Sequence, residues 1–272
     1  MTKLWNTHMH TSFSGDSDAP MQDMIEQSIT DNMCGITLTD HLDIDYYHNP
    51  GRFDLDIDEY RKCYDSLTVN GRYDNDTSSI DVLWGIELGL QPHLSEKHEE
   101  IISSYNFDYV IGSSHQVDKM DPYYPAYWDK YGVKGGVRRY FTSIIENIEA
   151  YNNFDAYGHL DYVIRYNDDA QKLTYGDYKD IINEILHLLI TNEKALEINT
   201  GAYKFGLHEP NPCIQTIKDY RKMGGKLITI GSDAHKPSQV NIGYNRLSKL
   251  LKECGFDSYY VYKNRRPFEC ML

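Results

Sequence analysis

The segment WNTHMHTSFSGD, residues 5–16, places two histidines one residue apart directly after a short strand-like run. Alternate side chains of a β-strand share one face, so His8 and His10 point the same way and lie about 7 Å apart along the backbone. Two imidazoles on one face at the end of a strand can bind a single metal ion, although an isolated H-x-H is more often a surface feature. The rest of the chain must decide between these two interpretations.

Side chains that can bind metals recur at the ends of most later apolar runs. The whole set comprises six histidines and three carboxylates: His8, His10, Asp16, His41, Glu87, His115, His159, Asp233 and His235. In a parallel α/β barrel the carboxyl ends of the strands lie on one rim, where the active sites of barrels are built. Imidazole and carboxylate together suit zinc, iron or manganese rather than calcium or magnesium. The pattern therefore predicts a metal centre on one rim of a barrel.

The elements that must position these residues alternate between short apolar runs and helical patterns. The runs cover residues 3–10, 34–41, 80–90, 108–115, 154–163, 195–202 and 227–235. The helical patterns cover residues 20–33, 58–67, 95–105, 137–151, 175–192, 212–223 and 246–254. Strand–helix units in alternation predict an α/β fold, a parallel TIM-like (β/α)7 barrel that is closed or nearly closed. A doubly wound open sheet is the alternative, but no G-x-G-x-x-G follows any of the runs.

Composition narrows the classes of partner and compartment. The 272 residues carry 41 acidic against 27 basic side chains and a formal charge of −14, with no basic stripe, so we expect no nucleic-acid partner. No apolar run reaches the length of a signal peptide core or a membrane span, so we expect no membrane partner. Five cysteines without CxxC spacing fit reduced thiols in the cytoplasm. No linker divides the chain, which predicts one domain over residues 1–272 and leaves the oligomeric state open.

The motifs together resemble a known family. They are HMH at residues 8–10 with Asp16, DH at 40–41, Glu87, His115, HLD at 159–161 and DAH at 233–235. In these motifs the chain resembles the polymerase-and-histidinol-phosphatase (PHP) family, and most closely its histidinol-phosphate phosphatase branch. The resemblance runs over nearly the whole chain. It implies a distorted seven-stranded barrel that binds two or three divalent metal ions.

The resemblance also implies how the ligands divide among the ions. The first metal site would comprise His8, His10, Glu87 and Asp233. The second would comprise Glu87 as a bridge with His115 and His159. The third would comprise Asp16, His41 and His235. Some relatives carry histidine where this chain has Asp16, which changes the charge of the third site. Three divalent ions would outweigh the three carboxylates and leave positive charge for a phosphate monoester dianion.

Two residues just past His159 are candidates for a direct role in catalysis. Arg165 would bind the phosphate, and Asp161 would orient a ligand or shuttle a proton. The alternative is a salt bridge between the two residues where the strand ends, and the sequence does not decide between these interpretations.

The segment at residues 117–136, VDKMDPYYPAYWDKYGVKGG, is predicted to be a long loop crowded with aromatic residues. Because long loops in compact domains are usually functional, we expect it to overhang the metals. Its acids Asp118 and Asp121 and its ring faces could receive a cationic amine that bears an imidazole, although a packed surface loop would look similar. His48, in the loop after His41, is a further candidate for contact with the substrate.

The first hypothesis for function is a metal-dependent phosphomonoesterase that hydrolyses L-histidinol phosphate to L-histidinol and phosphate in histidine biosynthesis. An enzyme of the same family acting on another small phosphate ester or on a nucleotide is the alternative. A barrel amidohydrolase also begins with H-x-H, but its bridging lysine or later histidine pair is not apparent here. A non-catalytic module that accompanies a polymerase is disfavoured by the intact ligand set.

Overall fold

The computed structural model describes residues 3–272. Its strands are β1 (Trp5–Asn6), β2 (Gly35–Leu38), β3 (His41–Leu42), β4 (Arg72–Asp74), β5 (Ser79–Gly89), β6 (Tyr109–Ser113), β7 (Ala156–Tyr157), β8 (Ala195–Asn199), β9 (Ile228–Gly231), β10 (Ser258–Lys263) and β11 (Arg266–Met271). Most residues of the barrel strands are buried, as expected of short parallel strands covered on both faces.

The principal sheet runs in the order β1-β2-β5-β6-β7-β8-β9, and all neighbours along this path are parallel. β3 adds a short parallel pairing to β5, and β4 pairs with β5 in antiparallel fashion. The two ends of the path meet, because the Thr7 amide donates to the Ile230 carbonyl at 2.9 Å and the Asp233 amide donates to the His8 carbonyl at 2.9 Å. The predicted distorted, nearly closed seven-stranded barrel is confirmed.

Amphipathic helices cover the outside of the barrel. They are α1 (Met21–Thr30), α2 (Ile57–Leu67), α3 (Ser95–Ser104), α4 (Pro125–Tyr131), α5 (Val133–Ala150), α6 (Lys179–Thr191), α7 (Ile214–Lys222) and α8 (Tyr244–Glu253). In α6 the buried residues Ile181, Ile185 and Leu189 recur every four positions, so one apolar stripe faces the core. No helix in the described part of the chain is both long enough and apolar enough to span a membrane.

The prediction of a continuous loop over residues 117–136 is wrong. This segment contains α4 and the first turn of α5, joined at Gly132, whose φ is 65°. Pro125 occupies the first turn of α4, where a missing backbone N–H costs nothing, and Tyr127 and Trp128 are buried against the core. The dense aromatic residues obscured a helical period, because exposed and buried rings alternate irregularly along the segment.

The antiparallel hairpin of β10 and β11 was not predicted. Its two-residue turn, Asn264-Arg265, has positive φ at both positions, 50° and 62°, which matches the turn type that joins twisted strands. The hairpin lies at the amino-terminal ends of the barrel strands, where the Arg265 amide donates to the Asp108 carbonyl at 2.9 Å. Arginine is unusual at positive φ, so the sequence lacks the common Asn-Gly signal for such a turn.

Candidate metal centre

The nine candidate ligands converge at the carboxyl ends of the strands. β1 leads directly to His8 and His10, β3 and β5 carry His41 and Glu87, and the others follow the ends of β6, β7 and β9, except Asp16 in the loop after β1. The side chains of His8, His10 and Glu87 are fully buried. Asp233 adopts a φ of 52°, an uncommon conformation for a residue other than glycine that is often found at functional sites.

The first site brings four donor atoms together. His8 Nε2 lies 3.0 Å from His10 Nε2 and 3.2 Å from Glu87 Oε2. His10 Nε2 lies 3.2 Å from Asp233 Oδ1. Ligand atoms at about 2.0–2.2 Å from a common ion are separated by distances of this order. The donor atoms of this group therefore surround a space suited to one ion.

The second site is organised by the other oxygen of Glu87. Oε1 lies 2.8 Å from His159 Nε2 and 3.3 Å from His115 Nε2. Since Oε2 faces the first site, Glu87 lies between the two groups and is placed to bridge them. Within residues 3–272, donor atoms of His8, Glu87 and His159 also form a group compact enough to hold an ion.

The third site is the most exposed of the three. Asp16 Oδ2 lies 3.1 Å from His235 Nε2 and 3.8 Å from His41 Nε2. The ring of His10 stacks on those of His41 and His235, with both pairs of centroids 4.2 Å apart, so the third group adjoins the first. His10, His41 and His235 themselves form a group with the spacing of metal ligands.

Unsatisfied polar atoms show that this donor set fits divalent cations. Glu87 Oε2 and His41 Nδ1 are buried and lie 2.9 Å apart, but neither forms a hydrogen bond of acceptable geometry with a described residue. A buried carboxylate oxygen without a donor is costly unless a cation compensates it. His8 Nε2 and His10 Nε2 also face each other at 3.0 Å, an arrangement that a shared cation would explain. Nitrogen and oxygen donors without a thiolate suit zinc, iron or manganese.

The electrostatics of the centre without metal indicate competition between protons and cations. Burial acts to raise the pKa of Glu87, but the neighbouring His8, His41 and His115 hold it well below its usual range. Burial likewise acts to lower the pKa of His41, while the carboxylates of Glu87 and Asp16 raise it to about 9. Since a histidine ligand must be neutral, metal binding has to displace these protons.

Several ligands are held through their second ring nitrogen. His115 Nδ1–H donates to Asp43 Oδ1 at 2.6 Å, which directs Nε2 at Glu87. His10 Nδ1–H donates to the Ser14 hydroxyl at 3.0 Å, and Ser14 in turn donates to Asp40 at 2.6 Å. Outer partners of this kind fix the tautomer and the orientation of metal-binding histidines.

Sequence reasoning missed three polar residues of the centre: Asp43, Glu197 and Lys204. Asp43 had a signal, since it lies two residues after His41, and Glu197 had one as a carboxylate in an apolar strand. Lys204 lies in the 3₁₀ segment Thr200–Phe205 and lines the cavity. Its ammonium group donates a hydrogen bond to the Asp233 carbonyl. Nothing distinguishes it in sequence from a surface lysine.

The structure separates the two candidate catalytic residues. Arg165 lines the cavity above the ligands, and its Nη1 lies 3.9 Å from Asp233 Oδ2. Asp161 is buried away from the cavity lining and accepts hydrogen bonds from the Asn211 side chain at 2.6 Å and the Cys213 amide at 2.8 Å. Burial raises the pKa of Asp161 to about 6 despite these hydrogen bonds. The two residues form no ion pair with each other among the described contacts.

A cavity of about 510 Å³ opens over the ligands. Asp121, Tyr123 and Tyr124 line the cavity, in agreement with the prediction that residues 117–136 overhang the metals. The expectation for Asp118 is wrong, because its carboxylate pairs with Arg139 at 2.8 Å outside the cavity lining. His48 is also outside the lining and stacks on Tyr124 with centroids 4.0 Å apart.

Comparison with known families gives one match that covers most of the chain. The family model described as "PHP domain" matches residues 6–201. This range includes seven of the nine candidate ligands and extends from β1 to the end of β8.

Comparison with curated proteins and solved structures gives relatives of similar length. A probable histidinol-phosphatase of Clostridium acetobutylicum is 29% identical, over 96% of this chain and 97% of the relative. A histidinol-phosphatase of Lactococcus lactis is 29% identical, over 94% of this chain and 93% of the relative. A crystal structure of histidinol phosphate phosphatase from Lactococcus lactis, complexed with zinc, L-histidinol and phosphate, has a TM-score of 0.85 and 25% identity. The match covers 98% of this chain and 100% of the chain in the crystal structure.

Proposed function

Because the chain belongs to the PHP domain family, we propose that it is a metal-dependent phosphomonoesterase that hydrolyses L-histidinol phosphate to L-histidinol and phosphate. The observation that carries the proposal is the convergence of nine candidate ligands with nitrogen or oxygen donors beneath one cavity. Relatives named as histidinol-phosphatases match this chain over almost its full length. The reaction belongs to histidine biosynthesis, and the five free thiols support a cytoplasmic location.

We propose two or three divalent ions, at the sites defined by the three ligand groups. Zinc, iron and manganese all suit the donor set, and zinc is present in the Lactococcus lactis structure. Such ions would lower the pKa of a water and neutralise the charge of the phosphate. The contribution of the chain is to hold the ions close together through Glu87 and to orient the histidine rings so that their nitrogens face the ions.

Cationic side chains of the cavity are placed to bind the phosphate. Arg165 is mostly buried, and its Nε and Nη1 have no hydrogen-bond partner within residues 3–272. Tyr162, Tyr166 and Phe205 stack against its guanidinium with centroid distances of 4.4–4.9 Å, which fixes the orientation of the group. Unused donors on an immobilised arginine favour a bidentate contact with phosphate oxygens. Lys204 supplies a second positive charge in the same cavity.

Asp121 is the group best placed to recognise the cationic part of the substrate. It accepts hydrogen bonds from the Tyr46 hydroxyl at 2.7 Å and the Tyr123 amide at 2.8 Å, which hold the carboxylate at the cavity wall. Burial raises its pKa, so an ammonium or imidazolium partner would stabilise the charged form. The rings of Tyr123 and Tyr124 offer faces for an imidazole.

The proposal is tested by phosphate release from a panel of esters after the protein is loaded with zinc, iron or manganese. We expect a higher kcat/KM for L-histidinol phosphate than for an aryl phosphate or a sugar phosphate, because only the first substrate satisfies Asp121. Equal kcat/KM for all three esters would leave a general metallophosphatase and refute the biosynthetic assignment. Absence of phosphate release from every ester would refute phosphatase activity itself.

A further inference from the structure

β8 belongs to the seven-membered barrel path and has no proposed metal ligand at its carboxyl end, yet it carries a buried carboxylate. Glu197 is 0% exposed and lies between the apolar residues Leu196 and Ile198 of β8. Its only ion pair among the described residues is with His8. A carboxylate is costly to bury, so its position requires an explanation.

The two oxygens of Glu197 contact ligands of two different metal sites. Oε1 accepts a hydrogen bond from His8 Nδ1–H at 2.5 Å, and His8 belongs to the first site. Oε2 accepts from the backbone amide of His159 at 2.7 Å, and His159 belongs to the second site. The Asn199 side chain donates to the same oxygen at 3.1 Å and fixes the plane of the carboxylate.

Two glycines on neighbouring strand ends leave room for this carboxylate. A Cβ at Gly231 would lie 2.7 Å from Glu197 Oε1 and 2.3 Å from the Cβ of His8. A Cβ at Gly158 would lie 3.5 Å from Glu197 Oε2 and 2.3 Å from the Ser113 hydroxyl. The space is therefore shaped by the strands on both sides of β8, which have no side chain where the carboxylate enters.

We infer that Glu197 is a positioning residue that aligns His8 and His159 for the first and second metal sites, an inference that rests on the proposed function. Because Glu197 accepts the hydrogen bond from His8 Nδ1–H, the lone pair on His8 Nε2 is left free for the ion. By accepting from the amide of His159, Glu197 holds a backbone with a φ of 20°, which residues other than glycine seldom adopt. One carboxylate thus couples the geometry of both sites without contacting the substrate.

The test is the metal affinity of Glu197→Gln, measured by competition with a chelator and by metal content per chain. Glutamine keeps the shape but offers only one acceptor oxygen, so it cannot accept from both His8 and His159. We expect zinc to bind the first two sites about 10- to 100-fold more weakly, the usual effect of losing such an outer partner. The third site should keep the affinity of the parent, because none of its residues contacts Glu197.

Asp155→Asn is the matched control. Asp155 is also a buried acceptor of backbone and side-chain hydrogen bonds, but it lies at the opposite ends of the strands, against Arg265. This variant should unfold at a lower temperature and bind zinc like the parent. Should Glu197→Gln behave in the same way, Glu197 is merely structural and the inference is overturned.

Two further outcomes also decide the question. Weaker zinc binding at all three sites, with a lower Tm of the metal-free form, would indicate a general folding defect and would overturn the inference. Where Glu197→Gln does not fold, Asn199→Ala removes the side chain that orients the carboxylate, and it should show the same site-selective loss to a smaller degree. Parental affinity in Asn199→Ala would contradict the inference, and a parent that binds no metal would overturn the proposed function with it.

Discussion

A histidine ligand has two ring nitrogens, and in this centre they have different tasks. In His115 the Nδ1–H donates to Asp43 while Nε2 faces Glu87, and in His235 the Nδ1–H donates to the Asp233 carbonyl while Nε2 faces Asp16. Each outer acceptor selects the tautomer whose remaining lone pair is free for a cation. The ligand residues are therefore prepared for metal by hydrogen bonds that lie behind them.

At the residue scale, Arg165→Ala should raise KM for a phosphate ester while metal content stays unchanged. The variant loses a charge-assisted contact worth about 1.5–3 kcal/mol, which corresponds to a rise in KM of roughly 10- to 150-fold. Arg138→Ala is the matched control, because Arg138 is exposed and pairs with Asp180 on the surface. Kinetics of Arg165→Ala equal to those of the control would remove Arg165 from the phosphate site.

His98 supplies a prediction about acid stability. It is fully buried, both ring nitrogens lack partners among the described residues, and burial lowers its pKa to about 4. Below its ordinary pKa of about 6.5 the unfolded chain takes up a proton that the folded chain refuses, so stability falls as pH drops from 6.5 towards 4. The loss that this group contributes at pH 4.5 is about 2.5 kcal/mol.

The measurement is the free energy of unfolding of His98→Leu and of the parent, both without metal, at pH 7 and at pH 4.5. Between pH 7 and pH 4.5, the free energy of unfolding of the variant should fall by about 2.5 kcal/mol less than that of the parent. His187→Leu, at an exposed position of α6, should lose as much as the parent. An equal loss in His98→Leu and the parent would show that His98 becomes protonated in the folded state.

The convergence of histidine and carboxylate side chains at the strand ends could be predicted from the sequence. Histidine and carboxylate side chains that interrupt apolar runs, such as Glu87 in WGIELG, are rare without a function, and the parallel topology brings them together. Lys204 could not be predicted in this way, because a lysine in a short 3₁₀ segment looks the same whether it faces solvent or a cavity. Asp118 and Asp121 likewise differ only in where the turns between them direct each side chain.

At the scale of elements, the segment between β6 and α5 forms one wall of the cavity. Tyr46, from the loop after β3, joins it by donating to Asp121 at 2.7 Å. Its fold was mispredicted because aromatic residues pack both inward and outward, as Tyr127 is buried while Tyr123 is 62% exposed. Such a pattern has neither the period of a strand nor that of a helix.

Asp121→Asn should lower kcat/KM for L-histidinol phosphate. The kcat/KM for an aryl phosphate should stay nearly unchanged. The amide keeps the shape but loses the charge that a cationic substrate would pair with, at a cost of about 1.5–3 kcal/mol. Asp118→Asn, three residues away and paired with Arg139, should affect neither substrate. A parallel loss with both substrates would place Asp121 in the support of the centre instead of in recognition.

The C-terminal hairpin contributes stability at the end of the barrel remote from the centre. Arg265 Nε donates to Asp155 at 2.5 Å, and Tyr262 stacks on Tyr109 with centroids 5.4 Å apart. Arg265→Ala should lower the free energy of unfolding by about 2–3 kcal/mol, since it leaves a buried carboxylate unpaired. Chemical denaturation would measure this, with Arg266→Ala at the next, exposed position as the control.

The same Arg265→Ala variant should keep the kcat and KM of the parent at 25 °C. Arg265 contacts residues that precede β7, whereas the candidate metal centre lies at the carboxyl ends of the strands. A loss of activity in the folded variant would mean that the two ends of the barrel are coupled. Unchanged stability would show that Asp155 is satisfied without Arg265.

At the scale of the whole molecule, a chain with a formal charge of −14 must attract a phosphate ester. Its acidic surface opposes this attraction, and Arg52, Arg165 and Lys204 are the lysine and arginine side chains that line the cavity in the described structure. Divalent ions at the rim would reverse the local sign of the field. The account therefore depends on metal more than on any single side chain, and Glu87, which faces both the first and second sites, is central to it.

The most direct test is phosphate release from L-histidinol phosphate as zinc or manganese is added back to chelator-treated protein. We predict no turnover without metal and a rise that saturates at two or three equivalents per chain. Glu87→Ala, which removes the bridging carboxylate, should bind fewer ions and stay inactive at every metal concentration. Full turnover by the metal-free protein, or full metal content and activity in Glu87→Ala, would contradict the account.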